Sequence, residues 1–210
     1  MVWPARGRVS DRTLMNGRVL MLRPVRSVVD EMTDEAIVAA CASGDTAALG
    51  LLFDRFHKDV VRFLSRLLGS DCLELDDLAQ ATFLEVWRAA GRFARKSTVK
   101  SWILAIAHNL ARHHLRSETR RKTALSLLEH RPQKIARSQE DEVGDHLLLE
   151  RLARALKTLD PVRRTAFVMC DLEEISGVDA ANALGVRPGT LWRRLHEARK
   201  QLKRALEEDS

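Results

Sequence analysis

The 210-residue chain has no tyrosine, only 5% aromatic residues, five prolines and three cysteines. Each shortage excludes something. Cys41, Cys72 and Cys170 lie far apart, form no CxxC pair and are odd in number. No disulfide framework is therefore expected, and a reducing cytosol suits them. No run of about eighteen apolar residues occurs, which excludes a membrane-spanning helix. The N-terminus has arginines without an apolar core segment and does not read as a secretory signal. There is no phosphate loop, glycine-rich fingerprint or nucleophile motif. Nothing reads as a strand, and no repeat period is evident.

What is present is 45% hydrophobic and 30% charged, the balance of a helix-rich protein with real cores. The net charge is +6, which suits nucleic acid or an anionic surface. Half of that excess lies in residues 1–31, where six arginines face Asp11, Asp30 and Glu31. This segment lacks periodicity and reads as a disordered extension, or as a start chosen upstream of Met32.

Order is expected from Thr33, an N-cap followed by acids, with Gly44 as the stop. Asp45 caps a long helix whose stripe is Leu49, Leu52, Phe53, Phe56, Val60, Phe63, Leu64 and Leu67, and Gly69 ends it. A third helix spans 73–90 and a fourth spans 99–117. Residues 118–146 are polar, charged and broken by Pro132 and Gly144, the signature of a linker, with one short helical turn around 124–128. A second helical unit occupies 147–208. Asp160-Pro161 starts one helix, expected to run to about 172. Ser176 and Asp179 form a capping box for a short helix ending at Gly185, and Pro188 opens the last.

The short helix, the Gly185 turn and the longer basic helix make a helix-turn-helix. Leu191, Leu195, Ala198 and Leu202 form the inner stripe. Arg187, Thr190, Trp192, Arg193, His196 and Lys200 are then the candidate DNA-reading set. Arginine pairs bidentately with guanine edges, and an aromatic can meet thymine methyls. Arg199, Lys203 and Arg204 are candidates for phosphates.

The segment from Leu159-Asp-Pro through ISGVDAANALGV to GTLWRRLHEAR resembles the C-terminal domain of bacterial sigma factors, above all the extracytoplasmic-function (ECF) group. The resemblance implies −35 recognition and contact with the polymerase β flap. Arg187 stands where a small capping residue is usual, and Trp192 where a polar or basic residue is common.

LDDLAQATFLEVWRA, residues 75–89, resembles the ECF motif that grips the β′ clamp helices. The resemblance assigns that role to Asp76, Asp77 and Gln80, with Ala81 where glutamate is usual. SWILAIAHNLARHHLR, residues 101–116, resembles the segment that melts the promoter and holds a flipped −10 base. Phe93 and the loop backbone are candidates for the base pocket, Asn109 for the reader. Arg95, Lys96, Arg112, Arg116, Arg120 and Arg121 are candidates for holding the displaced strand. Trp102 reads equally as a stacking aromatic or a core residue, and His113 replaces a common aspartate.

The expectation is an all-α protein of two helical domains: 32–117, like sigma region 2, and 147–208, like sigma region 4, joined by a flexible linker, 118–146. The resemblance further implies core RNA polymerase, promoter DNA and an anti-sigma protein as partners, a stress or signal response, and a cytoplasmic location. Two other readings compete with this one. A helix-turn-helix regulator acting without polymerase leaves the 75–89 helix unexplained. A nuclease site of Glu74, Asp76, Asp77 and Glu85 founders because helical spacing scatters them over more than one face, and a zinc site of His108, His113 and His114 with a cysteine founders on His108 and His113 lying five apart. No enzyme activity, cofactor or metal is expected.

Overall fold

The computed structural model describes the backbone of residues 32–128 and 145–208, and the side chains within them except at 122, 124–128, 145–150 and 208. The expected N-terminal extension and linker residues 129–144 lie outside the described residues.

Helix boundaries follow local chemistry. Helix α1 (Asp34–Ala42) starts at Thr33, whose hydroxyl accepts from the Ala36 N–H. Helix α2 (Thr46–Leu68) starts at Asp45, which accepts from the Ala47 N–H, and ends at Gly69. Helix α3 (Leu75–Ala89) has Glu74 at its N-cap position, and that carboxylate makes no capping bond. A 3₁₀ turn over Ala90–Arg92 follows. These helices and the first half of α4 (Val99–Leu128) enclose one core, which includes Ile37, Leu52, Val60, Phe63, Leu64, Phe83, Val86, Ile103 and Leu104.

Helix α4 runs eleven residues beyond the expected stop at 117. The segment after Ser117 is polar but contains no breaker until Pro132. Thr119 and Thr123 return their hydroxyls to the carbonyls of Leu115 and Thr119, and Arg121 pairs with Glu118 at 2.9 Å. Polarity indicated a linker with a single helical turn around 124–128, whereas helix propensity continued α4 unbroken through that turn.

Helices α5 (Asp145–Thr158), α6 (Pro161–Phe167), α7 (Gly177–Leu184) and α8 (Pro188–Glu208) form the second half. Asp160 caps α6 by accepting from the N–H groups of Val162 and Arg163. The helix expected to continue to about 172 instead changes to a π turn over Val168–Leu172. Glu174 then takes a positive φ of 55°, and Glu173 turns inward until its side chain is fully buried. Ser176 caps α7 through the Asp179 N–H, and Gly185 closes it in the left-handed region at φ 65°. Leu191, Leu195, Ala198 and Leu202 of α8 are at most 3% exposed. Burying each leucine contributes about 1.5–3 kcal/mol.

Residues from Thr33 onward cluster as one unit, and its two helical halves pack together. Helix α2 meets α5, α6 and the π turn, and α4 meets α7. Among the described residues no strand occurs, and no helix is long and apolar enough to cross a membrane.

Candidate functional site

Three exposed surfaces carry the residues singled out from sequence. The first lies on α8. With the leucine stripe inward, Arg193, His196 and Lys200 project outward at helical spacing, and Arg187 is exposed ahead of the helix. The backbone N–H groups of Thr190 and Leu191 both donate to the Arg187 carbonyl, so Arg187 occupies the capping position without a side-chain cap. Trp192 is 49% exposed. Its ring lies against the Gly177 backbone so closely that a Cβ there would stand 2.4 Å from Trp192 Cζ2. The indole therefore packs α8 onto α7 with one part and offers the rest to solvent.

Arg199, expected among the phosphate-holding cations, is engaged elsewhere. Its Nε and Nη2 donate to Asp171 at 2.8 and 2.6 Å, fastening α8 to the π turn. Arg163 likewise donates to Glu197 at 2.8 Å. These pairs orient α8 on the body that presents its basic face.

The second surface combines α4 with the loop before it. Asn109, Arg112, Arg116 and Arg120 are exposed at i, i+3, i+7 and i+11, one continuous stripe. The loop supplies Phe93, Arg95 and Lys96. Phe93 packs on Trp102 with ring centroids 4.9 Å apart, so the two aromatics form one half-buried platform. Arg95 adopts φ 56°, unusual for a residue with a side chain, which turns the loop sharply. Arg121 is tied to Glu118 rather than free to extend the stripe.

The third surface lies on α3. Asp76, Asp77 and Gln80 are exposed, away from buried Ala79, Thr82, Phe83 and Val86. The acids also suit the positive end of the helix. Leu84, 53% exposed, extends this face four residues beyond Gln80, and Leu73 is 95% exposed just before the helix. Neither leucine was singled out from sequence. The i, i+4, i+8 series 76, 80, 84 was the available signal, masked because leucine reads as core by default.

The halves meet through buried polar contacts that no linear motif reveals. Glu173 receives Arg62 at 3.0 and 2.7 Å, Arg66 at 2.7 Å and Lys100 at 3.1 Å. Burial pushes its carboxyl up, but the hydrogen bonds from Arg62 and Lys100 win and hold it below the ordinary range. Thr165 donates its one hydroxyl proton to the Pro161 carbonyl at 2.8 Å. It therefore accepts at 2.9 Å from an Nδ1–H of buried, neutral His108. Burial, with the charges of Arg112 and Arg194, pushes the His108 pKa down to about 4. Arg164 donates to the carbonyls of Leu67, Lys157 and Leu159, joining the end of α2 to the end of α5. Asn182 of α7 donates to the Lys96 carbonyl at 2.8 Å, which seats α7 on the loop of the second surface.

Comparison with known proteins supplies the context for these surfaces. The family model for sigma-70 region 2 matches residues 52–121, and that for sigma-70 region 4 matches residues 149–202. The ECF RNA polymerase sigma factor SigM of Mycobacterium tuberculosis (strain ATCC 25618 / H37Rv) is 32% identical over 176 residues, covering 84% of this chain and 86% of its own. The ECF RNA polymerase sigma-E factor of Haemophilus influenzae is 26% identical over 195 residues, covering 86% and 98%. Among solved structures, CnrH in complex with the cytosolic domain of CnrY superposes with a TM-score of 0.62 at 26% identity, covering 84% of this chain and 99% of that one. The sigma factor RpoE of Bartonella quintana, in complex with the anti-sigma factor NepR, shares the fold with a TM-score of 0.59 at 23% identity, covering 75% and 96%.

Proposed function

The chain belongs to the ECF sigma factors of RNA polymerase, and from that premise we propose how its surfaces divide the work. As a member, it directs RNA polymerase to promoters at transcription initiation. Arg187, Thr190, Trp192, Arg193, His196 and Lys200 read the −35 element in the major groove. Phe93, Arg95, Lys96, Asn109, Arg112 and Arg116 engage the melted −10 strand, with the Phe93–Trp102 platform as the stacking surface. Asp76, Asp77 and Gln80 meet basic residues of the polymerase clamp, and Leu84 extends that contact with apolar area.

The observation that carries this division is the basic, solvent-facing side of α8 set opposite its buried leucine stripe. The acidic face of α3 on the same chain supplies the second requirement, a protein partner. The work asked of these surfaces is binding and strand separation, so no catalytic group is required. An anti-sigma protein is a further partner of the kind that RpoE of Bartonella quintana has in its complex. Cytoplasmic residence follows from the need to meet polymerase and DNA.

Reconstitution tests the reading. The purified chain, bacterial core polymerase and genomic DNA fragments should yield transcripts that start downstream of one shared two-element motif. Arg193→Ala should then weaken discrimination at −35 by about 1–3 kcal/mol. DNA binding by the chain alone with a silent polymerase would instead favour a regulator that acts without polymerase.

A further inference from the structure

One cluster of chemically reactive side chains belongs to none of the three surfaces. Cys72 lies in the turn after α2, Glu74 stands just before α3, and His114 lies on α4. Their donor atoms, Sγ, a carboxylate oxygen and an imidazole nitrogen, all fall within 4.8 Å of one another. Cys72 Sγ is 3.6 Å from Glu74 Oε2 and 3.9 Å from His114 Nε2.

We propose that Cys72, Glu74 and His114 form a binding site for a zinc-class divalent metal ion. The distances suit it. Zinc bonds of about 2.3 Å to sulfur and about 2.0–2.2 Å to nitrogen or oxygen place tetrahedral ligands about 3.6 Å apart. The thiolate, imidazole and carboxylate set selects zinc or cobalt over magnesium or calcium, which take oxygen ligands. Three protein donors leave the fourth position to water or another exchangeable ligand.

Local structure presents these donors. Glu74 occupies the N-cap position of α3 yet its carboxylate does not cap the helix. His114 falls three residues after buried Ala111 and seven after buried Ala107, on the inner side of α4, whereas adjacent His113 is exposed. His108, six residues earlier on α4, has its Nδ1 committed to Thr165 and takes no part. A bound ion would tie the 69–74 turn to α4 and fix the start of α3. Asp76 and Asp77 follow directly, so occupancy would stiffen the face assigned to polymerase. That consequence rests on the proposed polymerase contact, but metal binding does not.

The test uses the full-length chain, free of any purification tag, stripped with chelator, reduced, and titrated with Co²⁺ alone and then Zn²⁺. One equivalent of cobalt should bind, with a thiolate-to-cobalt charge-transfer band in the near ultraviolet and tetrahedral bands in the visible, and zinc should bleach both. Cys72→Ser should abolish the charge-transfer band. His114→Gln and Glu74→Gln should each weaken binding by about 100-fold or more, since loss of even an outer partner costs about 10–100-fold. His113→Gln, Cys41→Ser and Cys170→Ser should leave the titration unchanged. Circular dichroism confirms that each variant is folded, and His114→Gln replaces Cys72→Ser if the latter fails. A wild-type titration without the band would overturn the proposal. So would a band that survives Cys72→Ser, or a cobalt affinity unchanged by His114→Gln, in folded protein.

Discussion

Glu173 and Arg62 lie 111 residues apart in sequence, yet the carboxylate takes two hydrogen bonds from the guanidinium, 3.0 Å from Nε and 2.7 Å from Nη2. Arg66 and Lys100 complete the cage around a side chain with no exposed surface. This cluster pins the C-terminal half to the N-terminal half. Removing the carboxylate would leave Arg62, Arg66 and Lys100 close together with only Asp59, which pairs with Arg62 and Lys100, to offset them.

Glu173→Ala should therefore loosen the contact between the halves by about 3 kcal/mol, the lower end for a broken buried pair because the cations are part-exposed. Small-angle X-ray scattering should show a larger radius of gyration, with helix content retained. An unchanged radius and melting temperature would show that the halves are held elsewhere.

The second prediction concerns acid. His108 has a folded pKa of about 4, below its ordinary 6.5. The unfolded chain therefore binds a proton that the folded chain refuses. Stability is intact above about pH 6.5 and falls as pH drops from 6.5 toward 4. The loss reaches roughly 2 kcal/mol by pH 5. His108→Gln, which can still meet Thr165, should flatten urea midpoints between pH 7 and 5. Glu173, held below its ordinary value, contributes its own loss only in stronger acid, as pH falls through its lowered pKa. A wild-type midpoint constant from pH 7 to 5 would contradict the His108 assignment.

Gly177→Ala tests the seat of Trp192. The added Cβ would stand 2.4, 2.7 and 3.0 Å from Cζ2, Cη2 and Cε2 of the ring. The half-exposed indole can swing outward, so the expected cost is about 1–2 kcal/mol. In a Trp192→Ala background the same change should cost little, giving a strongly non-additive cycle in thermal melts. Additive losses would mean that the ring does not rest on Gly177.

Asp77→Arg should impair binding to core polymerase while leaving far-ultraviolet circular dichroism unchanged, because the residue is exposed in the first turn of α3. The charge reversal also opposes the helix dipole, at a cost of about 0.3–1 kcal/mol, too little to unfold the domain. Wild-type affinity in a pull-down with core polymerase would remove Asp77 from the contact.

Much of the architecture was readable because its signals are local. Thr33, Asp45, Asp160 and Ser176 each cap the helix expected of them, since a side-chain oxygen needs only the next two or three N–H groups. The leucine stripe of α8 follows from 3.6-residue periodicity alone. The end of α4 was misplaced because polarity was read as loop where propensity favours helix. The π turn was missed because its cause is not local: Val168–Leu172 swings Glu173 toward cations from α2 and α4, which no window around 173 contains. The same distance hid the company kept by Arg199 and Trp192.

The sequence by itself determined where the capped helices begin, which faces are apolar and where the charges stand, because capping and periodicity act within a few residues. Only the tertiary structure decided what those charges do. It drew Glu173, His108 and Arg199 into contacts between elements. It left Arg193, His196 and Lys200 facing solvent, and it brought Cys72 and Glu74 to His114 across the fold. The physical reason is that a polar side chain's role depends on whether water or another side chain satisfies it, and burial settles that only once the helices pack.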